Sequence, residues 1–465
     1  MTKTLHKRIR GRRAPIAVNE SGSALVTVII ISIVMLISAM AVMELGAQDA
    51  ALAVRDLRAS QAFYNAEAGA QRGEAWLAAQ SSLPTAAVTP FSDVAEPFAD
   101  GLYHVAVAPD YSTTRTFYTI TSYATVDGRS RALEVDVITT AFTDYLYYTN
   151  RDNGFGGPGY FRTGETVDGP IRVNGEISIW GDPVFTSKVQ SAESTINYHN
   201  DWSPVSLTAL SNPPHDEPDF QAGCELGVAP MPWLGQTDLH IIKNLADITL
   251  NGNNDVVFGR DAGSGPMLGY VSYSKEGQDN WTDVLISSFN GIIYGGGQIN
   301  VSGIVDGQVT LASNGIMSIV DDITYADSDA NGPRPGCDDI LGLIAGSKLR
   351  VDDNVPNGTD CVIHAHMIAV ANQASLVEHY QLGVPRGTLT IYGGMAQDKW
   401  GPTGTGYYDA GGSFVVLTGY ERDIHYDWRL RTMLPPGYEY IVFGSGELER
   451  LAWREITPVN LEEQG

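Results

Sequence analysis

The sequence predicts a mostly β protein with one long amino-terminal α-helix, a small antiparallel sheet behind it and then a parallel β-helix-like domain. Three observations carry this. Ala24 to Met43 is a run of twenty residues without a charge. A stripe of small residues at helical spacing continues past that run to about Gln80. From about Asp144 onward, short β-prone runs alternate with Gly, Asn and Asp, in a chain of 465 residues containing 50 glycines.

At about 1.5 Å of rise per residue, the apolar run spans the roughly 30 Å hydrocarbon core of a bilayer, and a helix satisfies its own backbone there. Lys3, Lys7, Arg8, Arg10, Arg12 and Arg13 precede it against the single acid Glu20. Such a cluster stays cytoplasmic, which predicts one pass of the inner membrane with the bulk of the chain on the far side, periplasmic or at the cell surface. A cleaved secretory signal peptide shares the basic start, but its apolar core is usually about 7 to 15 residues and its periodicity then breaks. Here the helical pattern runs on.

Past the membrane, Ala59, Phe63, Ala66, Ala70, Gly73 and Leu77 fall on one helix face. Small side chains allow close approach, either of the chain's own next domain or of like helices in neighbouring subunits. Residues 81–143 read as the small sheet, with alternating runs at Tyr103–Val107, Phe117–Val126 and Arg131–Thr139. Asp127-Gly128 between the last two suits a type I′ hairpin turn, where both positions take positive φ.

Residues 144–435 read as the β-helix-like domain. Its runs include Ile171–Val173, Ile248–Leu250, Ile292–Tyr294, Val309–Leu311, Leu349–Val351 and Leu389–Ile391. Strands this short suit coils that stack their apolar positions on one another, whereas sandwich strands are longer and alternate more evenly. Asp201 to Pro232, rich in proline and polar residues, reads as an excursion, and 436–465 as a carboxy-terminal tail.

The formal net charge is -25. Taking the leader's six basic residues and one acid from 29 and 54 leaves 23 basic against 53 acidic residues. A surface that acidic repels nucleic acid and anionic headgroups, so no nucleic-acid partner is expected.

Three constellations have the composition of chemical sites. Asp327, Asp329, Asn331 and Asp338 stand at positions 1, 3, 5 and 12 of an EF-hand-like spacing with Gly332 at 6, which makes calcium the one candidate cofactor. Pro333 and Pro335, the Asp at position 12 and the lack of flanking helical pattern favour a solvated acidic loop. His364 and His366 share a face if their run is a strand, without a third ligand at recognisable spacing. Asp423, His425, Asp427 and Arg429 mimic an acid/base group, with a salt-linked edge as the plainer reading. Cys337 and Cys361 could close a disulfide, leaving Cys224 over, or all three thiols could be free. There is no Ser-nucleophile motif, phosphate-binding loop or CxxC pair, and no catalytic residue is expected.

Ser21-Gly22-Ser23-Ala24-Leu25-Val26 after a basic leader, then Gln61-Ala62-Phe63 and Ala66-Glu67-Ala68-Gly69, resemble the amino termini of PilX-type minor pilins of type IV pilus systems. The resemblance covers about 80 residues. It implies that residues 1–22 are a leader, that Gly22 and Ser23 flank the prepilin peptidase cut, and that residues 23–80 form a membrane-crossing helix that packs against other pilins or minor pilins. Family members usually carry Glu five residues into the mature chain; here that position is Thr27. A second resemblance covers the body: Val173-Asn174-Gly175, Asp321-Asp322-Ile323-Thr324-Tyr325, Leu341-Gly342-Leu343-Ile344-Ala345 and Gly387-Thr388-Leu389-Thr390-Ile391-Tyr392-Gly393-Gly394 are similar to a bacterial family of unknown function found behind such amino termini. The expected function is a minor pilin-like assembly or structural protein displaying a large acidic β-domain. The alternative is a membrane-anchored β-helix that binds or cleaves extracellular polysaccharide, with Trp400, Tyr407, Tyr408 and Trp428 as sugar platforms.

Overall fold

A computed structural model describes residues 20–80, 83–91, 96–98, 101–113, 115–151, 153–154, 157–199, 205–206, 216–261, 268–374, 376–409, 413–441 and 443–458. The basic leader up to residue 19 lies outside the described residues. Helix α1 runs from Glu20 to Ala78 without a break. Its 59 residues make a rod about 90 Å long at helical rise. From Leu25 to Leu57 its apolar side chains stand exposed on every side. This half is long and apolar enough to cross a membrane.

The second half of α1 is covered along one face. Ala62, Ala66, Ala70 and Leu77 are buried. Gly69 lies against Tyr103 and Ser122, and Gly73 against Ile120 and Val105, so closely that a Cβ at either place would collide. The stripe read from the sequence therefore docks from Ala66 onward on the chain's own antiparallel sheet. Strands Gly101–Asp110, Phe117–Val126 and Arg129–Ala141 form its centre. Asp127 and Gly128, with φ of 45° and 73°, turn the second into the third.

The sheet has five strands, and the last comes from the far end of the chain: Phe443–Ile456 pairs antiparallel with Arg129–Ala141, from Phe443↔Ala141 to Ile456↔Ala132, with register shifts between Phe443 and Leu448 and between Arg450 and Ala452. The reading of 436–465 as a tail is thus corrected. A bulge between Arg450 and Ala452 shifts the register and breaks the period-two alternation by which a strand is recognised. Arg454 pairs with Asp136 and Glu134, and Arg450 with Glu74 of α1, all through half-exposed arginines, while Leu448 packs against the head's core.

Between Ala141 and Phe443 the chain builds the body, a large sheet domain of mostly parallel rungs, with antiparallel pairs at Asn254–Asp261 with Leu268–Lys275 and at Gly404–Tyr408 with Phe414–Tyr426. One inward ladder runs Ile248, Ile293, Leu311, Leu343, Met367, Met395, Tyr147, Ile171, Val189, Cys224, each residue in parallel register with the next. A second runs Val256, Val301, Ile319, Val351, Val377, and a third Ile323, Ile363, Ile391, Ile424. Like residues stacking at one rung spacing fill the interior, as a β-helix requires.

The order of these ladders is not chain order. The chain enters the stack at its middle, at Tyr147, and builds outward through Ile171 and Val189 to Cys224. It then crosses back along the outside, starts afresh at Ile248 at the opposite end, and climbs until Met395 pairs with Tyr147. The crossing segment is helix α2, Gln236–Leu245, which buries Leu239 and Ile242. Asn174 holds the approach to α2 by bonding both the N–H and the carbonyl of Met231 at 2.9 and 2.7 Å. Within the expected excursion, Asp219–Phe220 and Cys224–Leu226 are rungs, paired parallel with Val184–Phe185 and Val189–Ser191. Residues 201–204 and 207–215 lie outside the described residues.

Candidate assembly surface

Among the described residues, the exposed half of α1 carries exposed apolar side chains from Leu25 to Leu57, and its base marks where the sheet-bearing head begins. At that base a shallow cleft of about 300 Å³ is lined by Asp56, Ala59, Ser60, Phe63, Tyr64, Arg131 and Glu455. Phe63 meets Trp453 edge to face at 5.9 Å, and Arg58 reaches the hairpin turn at Asp127, 3.1 Å away. Of the predicted packing stripe, Ala59 and Phe63 stay partly exposed here, while Ala66, Ala70, Gly73 and Leu77 are consumed by the sheet. Gly22 and Ser23 lie within the first turns of α1, and their side chains are not among those described.

The head is tied to the body by a buried ion pair. Arg115 is fully buried; its guanidinium donates to both Asp144 carboxylate oxygens, with Nη2 to Oδ2 at 2.8 Å, and to the Thr139 carbonyl. Asp144 also accepts the Ala141 N–H at 2.7 Å, at the point where the chain leaves the sheet. Within the body, Glu165 accepts Arg162 Nε at 2.9 Å and Arg422 Nε at 3.0 Å. Burial pushes the Glu165 carboxyl up, but the two guanidiniums hold it below its ordinary range. The pair Glu165–Arg422 joins the first-built half of the stack to the last, beside the Tyr147–Met395 junction.

The calcium candidates are not brought together. Ser328–Asp329 and Gly332–Pro333 form a tight antiparallel hairpin, which extends the loop where a metal loop would wrap. Asp329 accepts the Asn331 N–H at 2.9 Å and faces Arg334 at 3.4 Å, and Asp327 donates its N–H to Asp339. Asp338 contributes its carbonyl to Gln308. Among the described residues no three His, Cys, Asp or Glu side chains converge as a metal site.

Of the two readings left open for the cysteines, a Cys337–Cys361 bridge or three free thiols, the structure has all three free. Cys361 starts a strand, in register with Leu389 and packed in the stack's core, whereas Cys337 sits in a loop with its Sγ 3.6 Å from Asp339. Burial pushes the Cys361 and Cys224 thiols up to about 12.

His364 and His366 do share a strand face, but it faces protein. His364 Nδ1 accepts the Tyr325 N–H at 3.0 Å, and its ring meets Tyr392 edge-on. His366 is wholly buried against Tyr438, and neither ring nitrogen has a hydrogen-bond partner. Burial drives their pKa values down to about 4 and about 3. They are core residues.

The Asp423–Arg429 group divides in two. His425 lies 2.9 Å from Asp423 and 3.7 Å from Asp168, stacked on Tyr392 at 4.8 Å, on the outer edge of a rung. Asp427 holds Arg429, whose Nη1 donates to the carbonyls of Cys337 and Asp339 at 2.9 and 3.0 Å. The second pair is a brace between loops. Of the aromatic platforms, Trp400 stacks on Tyr147 inside the junction, and Tyr408 is committed through its hydroxyl to Trp180 and Thr163. Tyr407 and Trp428 remain about half exposed. Sequence reasoning missed Arg115, Asp144 and Glu165; an arginine or acid inside a β-prone run is the only signal they leave.

Residues 111–194 match a domain of unknown function, DUF4900. The match straddles the last head strands and the first rungs, and so contains both partners of the Arg115–Asp144 pair. No curated protein matches the chain. Among solved structures it is similar to the competence-associated pilin ComZ from Thermus thermophilus, with 12% identity, a TM-score of 0.34, and coverage of 86% of this chain and 97% of that one.

Proposed function

We propose that this chain is a minor pilin-like subunit of a type IV pilus or related secretion machine, and that its role is structural. The observation that carries the reading is α1: apolar and uncovered for its first half, then packed through small residues on an antiparallel sheet. A rod of this kind sits in the membrane by its bare half and can move, on assembly, into contact with equivalent helices of other pilins. The head and its inserted acidic body are carried outside the cytoplasm. The Gly22–Ser23 bond is the cut site for prepilin peptidase, and Thr27 stands where the family places Glu, so docking of this subunit relies on apolar contact along α1.

The test is the amino-terminal sequence of the protein recovered from membranes of cells with and without prepilin peptidase. A chain beginning at Ser23 only in the presence of the enzyme supports the reading. A chain beginning at Met1 in both makes α1 a permanent anchor and removes the filament role.

A further inference from the structure

The body carries a groove of about 600 Å³, within the size range of small-ligand sites, at the corner where three rungs turn. Ser347 and Lys348 come from the turn before one rung, Asn372 and Gln373 from the turn before the next, Leu376 from that rung itself, and Tyr380 and Leu382 from the loop after it. It lies apart from α1 and from the head, and nothing in the assembly reading uses it.

Its polar groups are uncommitted. Gln373 is 5% exposed as a residue, no protein group bonds its side-chain amide, and the amide atoms are not enclosed, so they open into the groove. Among the described residues, the Ser347 hydroxyl, the Lys348 ammonium and the Asn372 amide also have no hydrogen-bond or ion-pair partner. Amides enclosed in the body are bonded within the protein: Asn357 donates to the Ile319 and Asp352 carbonyls at 2.9 and 3.1 Å. Gln373 departs from that pattern only where the groove opens.

The remaining walls narrow the ligand class. Glu378 is neutralised by Arg350, and His379 Nδ1 lies 2.7 Å from Asp353, which Arg386 also holds at 2.6 Å. In a chain of net charge -25 this groove is close to neutral, with one free ammonium. It is therefore no trap for a metal ion or a polyanion. Two amides and a hydroxyl supply paired donors and acceptors, and the Tyr380 ring and Leu376 and Leu382 supply an apolar wall. Vicinal hydroxyls on one edge and C–H groups on the face are the complementary surface, and a sugar ring has both. His379 holds φ at 54°, a conformation uncommon for a non-glycine residue, at the bend that aims the following Tyr380-Gln381-Leu382 segment along the groove.

We propose that this groove binds an uncharged oligosaccharide, with Asn372 and Gln373 as the hydroxyl-reading residues and Tyr380 and Leu382 as the ring-stacking wall. The body would then contact a glycan-bearing surface independently of how α1 is assembled.

The test is titration calorimetry of the full-length protein in an amine-oxide detergent, which avoids the sugar headgroup of a glucoside. The probes are cellotetraose, chitotetraose, maltotetraose and tetragalacturonate, with a tetra-alanine peptide alongside. Saturable binding of at least one neutral tetrasaccharide at micromolar to low-millimolar concentration, weakened tenfold or more by Asn372→Ala and by Leu382→Asp, is the expected result. Leu382 is 62% exposed, so its substitution leaves folding intact even if a change at Gln373 does not. No saturable binding of any neutral saccharide up to 10 mM (about the weakest affinity worth reading), binding untouched by both substitutions, or binding of the peptide alone would each overturn the proposal. None of these outcomes depends on Ser23 processing, so the groove and the assembly reading fail separately.

Discussion

Acid is expected to loosen the body through two buried imidazoles. His366 and His364 have folded pKa values of about 3 and about 4, against an unfolded value near 6.5. A base whose folded pKa is depressed binds its proton more readily when unfolded. The stability it contributes is therefore complete above pH 6.5 and is lost as pH falls from there toward the folded values. Between pH 7.0 and 4.5 this amounts to almost two units at about 1.36 kcal/mol each, or roughly 2–3 kcal/mol per ring and about 5 kcal/mol for both. Asp144 lies near enough to His366, and Asp427 to His364, to offset part of the desolvation, but burial prevails in both.

Burial also raises the carboxyls of Asp339, Asp322 and Glu439, which works in the opposite direction, so the readable quantity is a difference between variants. In urea titrations of the full-length protein in detergent, followed by tryptophan fluorescence at pH 7.0, 5.5 and 4.5, His366→Asn should lose roughly 2–3 kcal/mol less than the parent between pH 7.0 and 4.5. Parallel stability curves for parent and variant would refute the argument, because they would mean that the His366 ring is already solvated or protonated in the folded protein.

Other consequences can be checked in the same assay. Arg115→Met leaves the Asp144 carboxylate buried without its partner and should cost about 3–5 kcal/mol, while Arg115→Met with Asp144→Leu should recover most of the loss. Gly73→Val pushes a branched side chain into Ile120 and Val105 and should cost about 1–3 kcal/mol, read as a lower urea midpoint of the head. Cys337→Ser with Cys361→Ala should give the same mobility on gels with and without reductant as the parent, because no disulfide joins these positions in the fold.

The sequence was informative wherever a pattern is local. The helix, the Asp127-Gly128 hairpin and runs such as Ile171–Val173, Ile248–Leu250 and Leu349–Val351 are strands or turns where their periodicity and chemistry place them. The stacking order was not legible. Nothing in Met395 or Tyr147 says that they are neighbours, because every inward rung position is apolar and would pack equally well on several others. Spacing along a chain defines a site only if the backbone curls around it; here Ser328–Pro333 forms a hairpin and Cys361 is fixed in a rung, so neither the calcium spacing nor the cysteine spacing, each set beside a plainer alternative, makes a site. The last strand was hidden by its bulge. Gln373 was hidden because an amide that opens into a groove without a protein partner is a property of its surroundings.

The topology makes the body an insertion in the head, and that has a sharp consequence. The chain leaves the sheet at Ala141 and returns at Phe443, and these two residues face each other in the antiparallel ladder. The head's core, from Ala66 and Ala70 through Tyr103, Val105, Ile120, Val135 and Val137, is built from α1 and the sheet without a body residue. Replacing residues 142–442 with an Asn-Gly turn, the pair favoured for a two-residue hairpin, should therefore leave a head that still folds on α1. Arg115 loses Asp144 in that variant but also loses the burial that made the partner necessary, so it turns to solvent with little penalty. Cooperative thermal unfolding of the shortened protein in detergent, with the hairpin amides protected from exchange, is the expected result. A molten head that regains cooperativity only when the body is supplied would show that the Arg115–Asp144 joint organises the sheet, and that head and body fold as one unit.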